Sequence, residues 1–360
     1  MKREIFDQRR ASRKAIDQSG VWRFREAVLD IDESKIITHP EGGTRMYERD
    51  GIFFKHEGEN PTGSFKDRGM TVAITQAVRE KARAVACAST GNTSASAAAY
   101  AAQAGLRAIV FIPSGKVATG KLAQTLAYGA LCLQVRGDFD AAMRLVLEAS
   151  QKLGIYLVNS INPFRIEGQK TIVWELLQDL EWNAPDWIVV PAGNLGNTSA
   201  FGKALVEARD AGWITKMPRL ASIQAHGANP FYRSFRENFA QRHRVAAETV
   251  ASAIRIGDPV SFENAANSIR ATNGVVEEVT DDELMKAKRD IDRMGIGCEP
   301  ASATTLAGVR KLRAAGVMRD SERIVCVLTG HLLKDPDSIA RGDIVEIDPD
   351  LREVERIIHH

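Results

Sequence analysis

From residue 83 onward the chain alternates short apolar runs, rich in branched residues, with longer stretches of helical periodicity. No other feature restricts the fold as strongly. Strand candidates lie at 83–88 (RAVACA), 106–112 (LRAIVFI), 130–135 (ALCLQV), 155–159 (IYLVN), 186–191 (DWIVVP), 220–224 (LASIQ) and 323–328 (RIVCVL). Helix candidates fill 66–81, 92–103, 138–152, 164–180 and 198–210. Asp281 and Asp282 open a further amphipathic helix to about Arg293, with acids at its positive end. Repeated strand-then-helix units give a mostly parallel sheet with helices on both faces, because parallel neighbours need a crossover. That many units exceed one small domain, so the expected fold class is α/β, as two doubly wound lobes with a cleft between them.

At 360 residues the chain is long enough for both cores. A net charge of +2, without a long block of one sign, argues against nucleic acid or an anionic membrane as partner. The four cysteines, Cys87, Cys132, Cys298 and Cys326, stand far apart with no CxxC pair, so no metal site or disulfide framework is expected. No apolar run has the length of a membrane span, and MKREIFDQRR is too charged for a signal peptide; a cytoplasmic protein is expected. The first 40 residues are polar and read as a helical arm.

Ligands of open α/β sheets bind where strand ends feed helix amino termini. Ser89-Thr90-Gly91-Asn92-Thr93 follows one strand candidate and precedes a helix of small residues, a setting for a carboxylate or phosphate; ordinary helix capping is the competing explanation. Gly193, Asn194, Leu195, Gly196 and Asn197 follow another strand and form a run of backbone N–H groups suited to phosphate. Residues 115–122 nearly spell a nucleotide phosphate loop, but Leu122 stands where Ser or Thr would bind magnesium. Lys116 remains a candidate cation for an acidic substrate. Thr329 places a hydroxyl at the end of the last strand.

The run at 60–69, NPTGSFKDRG, puts Lys66 at the first turn of a helix. A fixed ammonium there faces the positive end of the helix dipole. The same field, with partial burial, favours the neutral amine that a Schiff-base lysine needs. With a separate phosphate nest, this points to an aldehyde cofactor carrying a phosphate; a lysine that swings into solvent is the alternative.

NPTGSFKDRG, STGNTSASAAAYAAQAG, SGKVATGKLAQ, NSINPFRIEGQK, PAGNLGN, AIRIGDPVS, CEPASA and LTGHLLKDP together resemble the threonine synthases, of the tryptophan-synthase-β-like (fold type II) pyridoxal-phosphate enzymes. The blocks occur in family order across roughly residues 51–336. The resemblance implies that Lys66 forms the internal aldimine with pyridoxal 5′-phosphate and then shuttles protons. It implies that residues 193–197 cradle the cofactor phosphate, that Asn92 contacts the ring hydroxyl and that Thr329 bonds the pyridine nitrogen. Ser89, Thr90 and Thr93 would take the substrate carboxylate and neighbouring groups; Lys116, Asn159, Ser160 and Arg165 would take the substrate phosphate. The implied reaction converts O-phospho-L-homoserine and water to L-threonine and phosphate by γ-elimination and β-addition, in a homodimer. The implied division is an arm at 1–44 on the larger lobe, a smaller lobe at 45–158 with the lysine, and a larger lobe at 159–360 with the phosphate loop. Two positions depart from the family pattern: Leu332 replaces a glycine and would either crowd the loop beside the cofactor nitrogen or force a different turn, and Arg45 replaces a proline. They leave open a relative acting on another amino acid, such as a dehydratase or a cysteine or cysteate synthase, and a catalytically idle ligand-binding homologue.

Overall fold

A computed structural model describes residues 2–114, 119–137, 139–339 and 344–358. Its strands are β1 (Met46–Arg49), β2 (Ile52–His56), β3 (Ala84–Ala88), β4 (Arg107–Pro113), β5 (Leu131–Val135), β6 (Tyr156–Leu157), β7 (Trp187–Pro191), β8 (Arg219–Ala225), β9 (Val275–Val279) and β10 (Ile324–Leu328). The helices that matter for the site are α1 (Lys66–Arg79), α2 (Asn92–Gln103), α3 (Phe139–Leu153), α4 (Pro163–Gln169), α5 (Thr171–Asp179), α6 (Gly196–Asp210), α7 (Phe262–Ala271), α8 (Asp281–Arg293) and α9 (Pro300–Ala314).

The strands form a six-stranded sheet, order β1-β2-β10-β7-β8-β9, and a four-stranded sheet, order β5-β4-β3-β6. Every pair is parallel except β1 with β2. Each sheet reverses its strand order once. After β9 the chain returns to the far side of β7, and after β5 it returns to the far side of β3. Such reversals splay adjacent loops apart and leave a crevice. Here the loops are those after β7 and β10 in one sheet, and after β3 and β6 in the other.

The burial pattern explains the layers. β7 and β10 are buried throughout, as central parallel strands covered on both faces must be. α8 is the opposite case: Leu284, Ala287 and Ile291 form its buried stripe, and its start is fixed by a capping box between Thr280 and Glu283.

The structure departs from the sequence reading in several places. β2 pairs with β10 from Ile52↔Ile324 to His56↔Leu328, so residues 46–56 belong to the larger sheet and not to a smaller lobe starting at 45. The strand expected at 155–159 is only two residues long; beyond it the Asn159 side chain takes over, accepting from Ala88 N at 2.9 Å and donating to Ala88 O at 3.1 Å. The helix expected at 164–180 is divided at Lys170. The arm is not merely polar: Phe6, Val21, Trp22 and Phe24 are fully buried, in one cluster with Trp174 and Trp213.

Candidate functional site

A cleft of about 1430 Å³ opens where the two sets of loops meet. Fourteen of the fifteen residues singled out by sequence line it: Lys66 from α1; Ser89, Thr90, Asn92 and Thr93 after β3; Asn159, Ser160 and Arg165 after β6; Gly193 to Asn197 after β7; and Thr329 after β10. Lys116 lies outside the described residues.

Lys66 is the first residue of α1, and its amine sits 4.1 Å from the centroid of the Phe65 ring. Burial pushes its pKa down to about 7, with the nearby Arg165 cation acting the same way and Glu299 opposing. The loop before it is rigidly held. The carboxylate of Asp67 accepts from Thr62 N at 2.7 Å, Thr62 Oγ1 at 2.6 Å and Ser96 Oγ at 2.6 Å. Backbone bonds then join this loop to the one after β10: Phe65 N donates to Thr329 O at 3.0 Å and His331 N to Gly63 O at 2.9 Å, around a bridge between Ser64 and Gly330. Arg68, fully buried, donates to Glu57 at 2.6 and 2.7 Å and to Glu175 at 2.8 Å, which anchors the first turn of α1 to the turn after β2 and to α5.

The loop after β7 is a backbone nest. Leu195 adopts a left-handed conformation, φ 64°, immediately before α6 begins at Gly196. That turns successive N–H groups, together with the unpaired N–H groups of the first helical turn, toward one point. A side chain at Gly193 would place its Cβ 2.9 Å from Ile254 Cα, so the loop can lie here only as glycine.

Three buried polar atoms along the cleft have no partner among the described residues: Arg165 Nε, Gln169 Oε1 and Asn197 Oδ1. Arg165 and Gln169 stand one turn apart on α4, and Gln169 approaches Gly196. Arg165 is 1% exposed, its one hydrogen bond among the described residues runs from Nη1 to Val158 O at 3.3 Å, and it has no carboxylate partner there. Burial pushes its pKa down to about 10. A buried guanidinium without a counter-ion is a demand for an anion.

Glu299, at the amino end of α9, was not singled out by sequence. It is buried, and Asn92 Nδ2 donates to its Oε2 at 2.9 Å while Thr329 Oγ1 lies 3.4 Å from its Oε1. Ser302 Oγ is 3.0 Å from Thr329 Oγ1 and accepts from Gly330 N at 3.1 Å. In the sequence Glu299 is only an acid before a helix-starting proline; its meaning depends on Asn92, 207 positions away. Lys334 was likewise missed: it lines the cleft and donates to Thr62 O at 3.0 Å and Gln124 Oε1 at 2.5 Å.

The two unusual positions leave the cleft intact. Leu332 packs against Gly297, where an added Cβ would lie 2.3 Å from Leu332 Cδ2, and it is Leu333 that lines the cleft. The expected crowding therefore does not arise. Arg45 uses the N–H that proline lacks to donate to Glu59 Oε2 at 2.7 Å, and its side chain is exposed. Among the described residues no group of three or more His, Cys, Asp or Glu could hold a metal, and no helix is long and apolar enough to cross a membrane.

Comparison with known proteins agrees with this geometry. The family described as "Pyridoxal-phosphate dependent enzyme" matches residues 36–330. A threonine synthase of Methanocaldococcus jannaschii is 46% identical over 94% of this chain and 87% of its own. One from Methanosarcina acetivorans is 46% identical over 89% of this chain and 81% of its own. Among solved structures, the processed form of threonine deaminase isoform 2 from Solanum lycopersicum superimposes with a TM-score of 0.70 at 21% identity, over 94% of this chain and 93% of that one. At that identity the likeness speaks for the fold.

Proposed function

The chain belongs to the pyridoxal-phosphate dependent enzymes and, among them, to the threonine synthases, and from that premise we propose how its cleft converts O-phospho-L-homoserine and water to L-threonine and phosphate. The observation that carries the proposal is one cleft that combines a buried amine titrating near 7, a backbone nest at the start of α6 and an unpaired buried guanidinium.

The residues fit the cofactor. The nest and the unpartnered Asn197 suit its phosphate, Lys66 would hold its aldehyde, Asn92 its ring hydroxyl and Thr329 its ring nitrogen. When bound, pyridoxal 5′-phosphate supplies a carbonyl for amine capture and a conjugated ring that withdraws electrons from the substrate carbons. A hydroxyl at the ring nitrogen, rather than a carboxylate in direct contact, moderates that withdrawal.

Ser89, Thr90 and Thr93 would receive the substrate carboxylate at the start of α2. Arg165 with Ser160 would hold the substrate phosphate, joined by Lys116. Asn159 contributes less, because its amide is already committed to Ala88. Lys66, neutral in a large fraction near pH 7, takes protons from the α and β carbons and returns one to the γ carbon and one to the α carbon, while the proton of the water leaves with the phosphate. In the balance, the bond from the γ carbon to the phosphate oxygen breaks, the hydroxyl of water joins the β carbon, and a proton ends on the γ carbon. As part of the proposal the enzyme is cytoplasmic and homodimeric.

The test is incubation of the protein with pyridoxal phosphate and O-phosphohomoserine, assaying phosphate and threonine, with Lys66→Ala alongside. Wild type should show the visible band of bound cofactor and form both products, and the variant neither. A wild type with the band but no product refutes the substrate; a wild type without the band refutes the reading of the cleft.

A further inference from the structure

Among the acids that line the cleft in the described residues, Asp258, Glu299, Asp335 and Asp337, only Glu299 is buried. It starts α9, which packs on the larger sheet, yet its Oε2 receives the side chain of Asn92, the first residue of α2, which packs on the smaller sheet. Its Oε1 faces Thr329 at the end of β10. One carboxylate thus reaches both residues assigned to the cofactor ring.

Its own placement is fixed from two sides. Glu299 N donates to Gly330 O at 3.0 Å, and a Cβ at Gly330 would lie 2.4 Å from the Glu299 carboxyl carbon, so that residue must be glycine for the carboxylate to fit. Gly330 N–H donates to Ser302 Oγ, and either hydroxyl of the Ser302–Thr329 pair can donate to the other; when Ser302 donates, the Thr329 proton is free for Glu299 or for an acceptor in the cleft.

We propose that Glu299 is a positioning residue for this enzyme: it orients Asn92 toward the cofactor across the cleft and keeps one buried negative charge facing the Lys66 amine. The inference rests on the proposed function. The charged groups facing Lys66 are Arg165 from α4 and Glu299; burial raises the pKa of Glu299, with Asp335 acting the same way, while the Asn92 amide and the Lys66 and Lys334 cations oppose it and favour the carboxylate. Removing the carboxylate leaves Arg165 unopposed, so the amine loses its proton more easily. Removing its acceptor oxygen also frees Asn92.

The experiment uses the apoprotein and pyridoxal phosphate, with Glu299→Gln, Glu299→Ala, Asn92→Ala and the Asn92→Ala/Glu299→Ala double variant. Two quantities are read: the pH midpoint of the cofactor-capture rate, followed by the visible band, and the cofactor dissociation constant. Glu299→Gln keeps an acceptor for Asn92, so its dissociation constant should stay within about threefold while its midpoint falls by on the order of one pH unit. Glu299→Ala should lower the midpoint and weaken binding about tenfold, and in the Asn92→Ala background the same change should weaken binding less than about twofold. A purely structural role would leave the midpoint of Glu299→Gln unmoved. An unchanged midpoint in Glu299→Gln, or a full tenfold effect persisting in the Asn92→Ala background, overturns the inference. Wild type that never develops the band overturns instead the reading of the cleft on which it rests.

Discussion

Replacing Arg165 with methionine should make the protein more stable and nearly inactive. The guanidinium is buried with no carboxylate partner among the described residues, and burial holds its pKa at about 10 against 12.5 in water. At about 1.36 kcal/mol per pH unit, the charged form is disfavoured in the folded chain by about 3 kcal/mol. The group's folded pKa is the lower one, so the cost is fully present at neutral pH and is relieved only as pH rises past about 10. Methionine fills similar space without the charge, so the variant apoprotein should melt at least about 2 °C higher by calorimetry. The substrate loses the two charge-assisted bonds that a planar guanidinium can give its phosphate. At about 1.5–3 kcal/mol for each such bond, two of them make a loss of at least about a hundredfold in kcat/KM. On holoenzyme, where the cofactor fills the nest, inorganic phosphate should raise the melting temperature of wild type and not of Arg165→Met. A variant that melts below wild type, or that keeps kcat/KM within tenfold, refutes the idea that Arg165 is a cation kept waiting for an anion.

Other expectations can be checked separately. Cofactor capture by the apoprotein should rise about tenfold per pH unit below about 7 and level off above it, since only the neutral Lys66 amine attacks; a rate still climbing at pH 10 would contradict the effect of burial. Gly168→Ala would set a Cβ 1.8 Å from Arg68 O, where α4 crosses α1, and should cost about 1–3 kcal/mol in urea unfolding. Leu332→Gly should leave kcat and KM within about twofold while lowering the melting temperature, because that side chain packs on Gly297 outside the cleft; a large change in KM would return Leu332 to the site.

What could be read in the sequence was local chemistry. Lys66 after a turn, the nest at 193–197 and the polar run at 89–93 each declare themselves within a few residues, and α2 and α8 were located to their ends. What could not be read depends on distant partners. β2 escaped because Lys55 interrupts its apolar run, and that lysine is buried only because Glu175 and Asp179 each meet it at 2.7 Å. β9 was hidden by Glu277 and Glu278, half-buried charges in a strand with a neighbour on one side only. Trp22 looked like part of a polar arm until Thr71, 49 residues on, accepted its indole N–H at 2.8 Å. The importance of Glu299 arises only once Asn92 is beside it.

The double allegiance of α1 has a mechanical consequence. Its first turn is fastened to the larger sheet through Arg68 and the backbone bonds at Phe65, while Met70, Ala73, Ile74 and Ala77 further along pack in the core of the smaller sheet. Fourteen residues at about 1.5 Å each make a rod roughly 20 Å long that carries the amine at one end. Trp22, bonded to Thr71, and Val72, packed in the larger core, tie its middle to the larger sheet as well. A shift of the smaller sheet, and of the loop at 89–93 with it, would therefore be taken up where that sheet packs on Met70, Ala73, Ile74 and Ala77, and not at the amine.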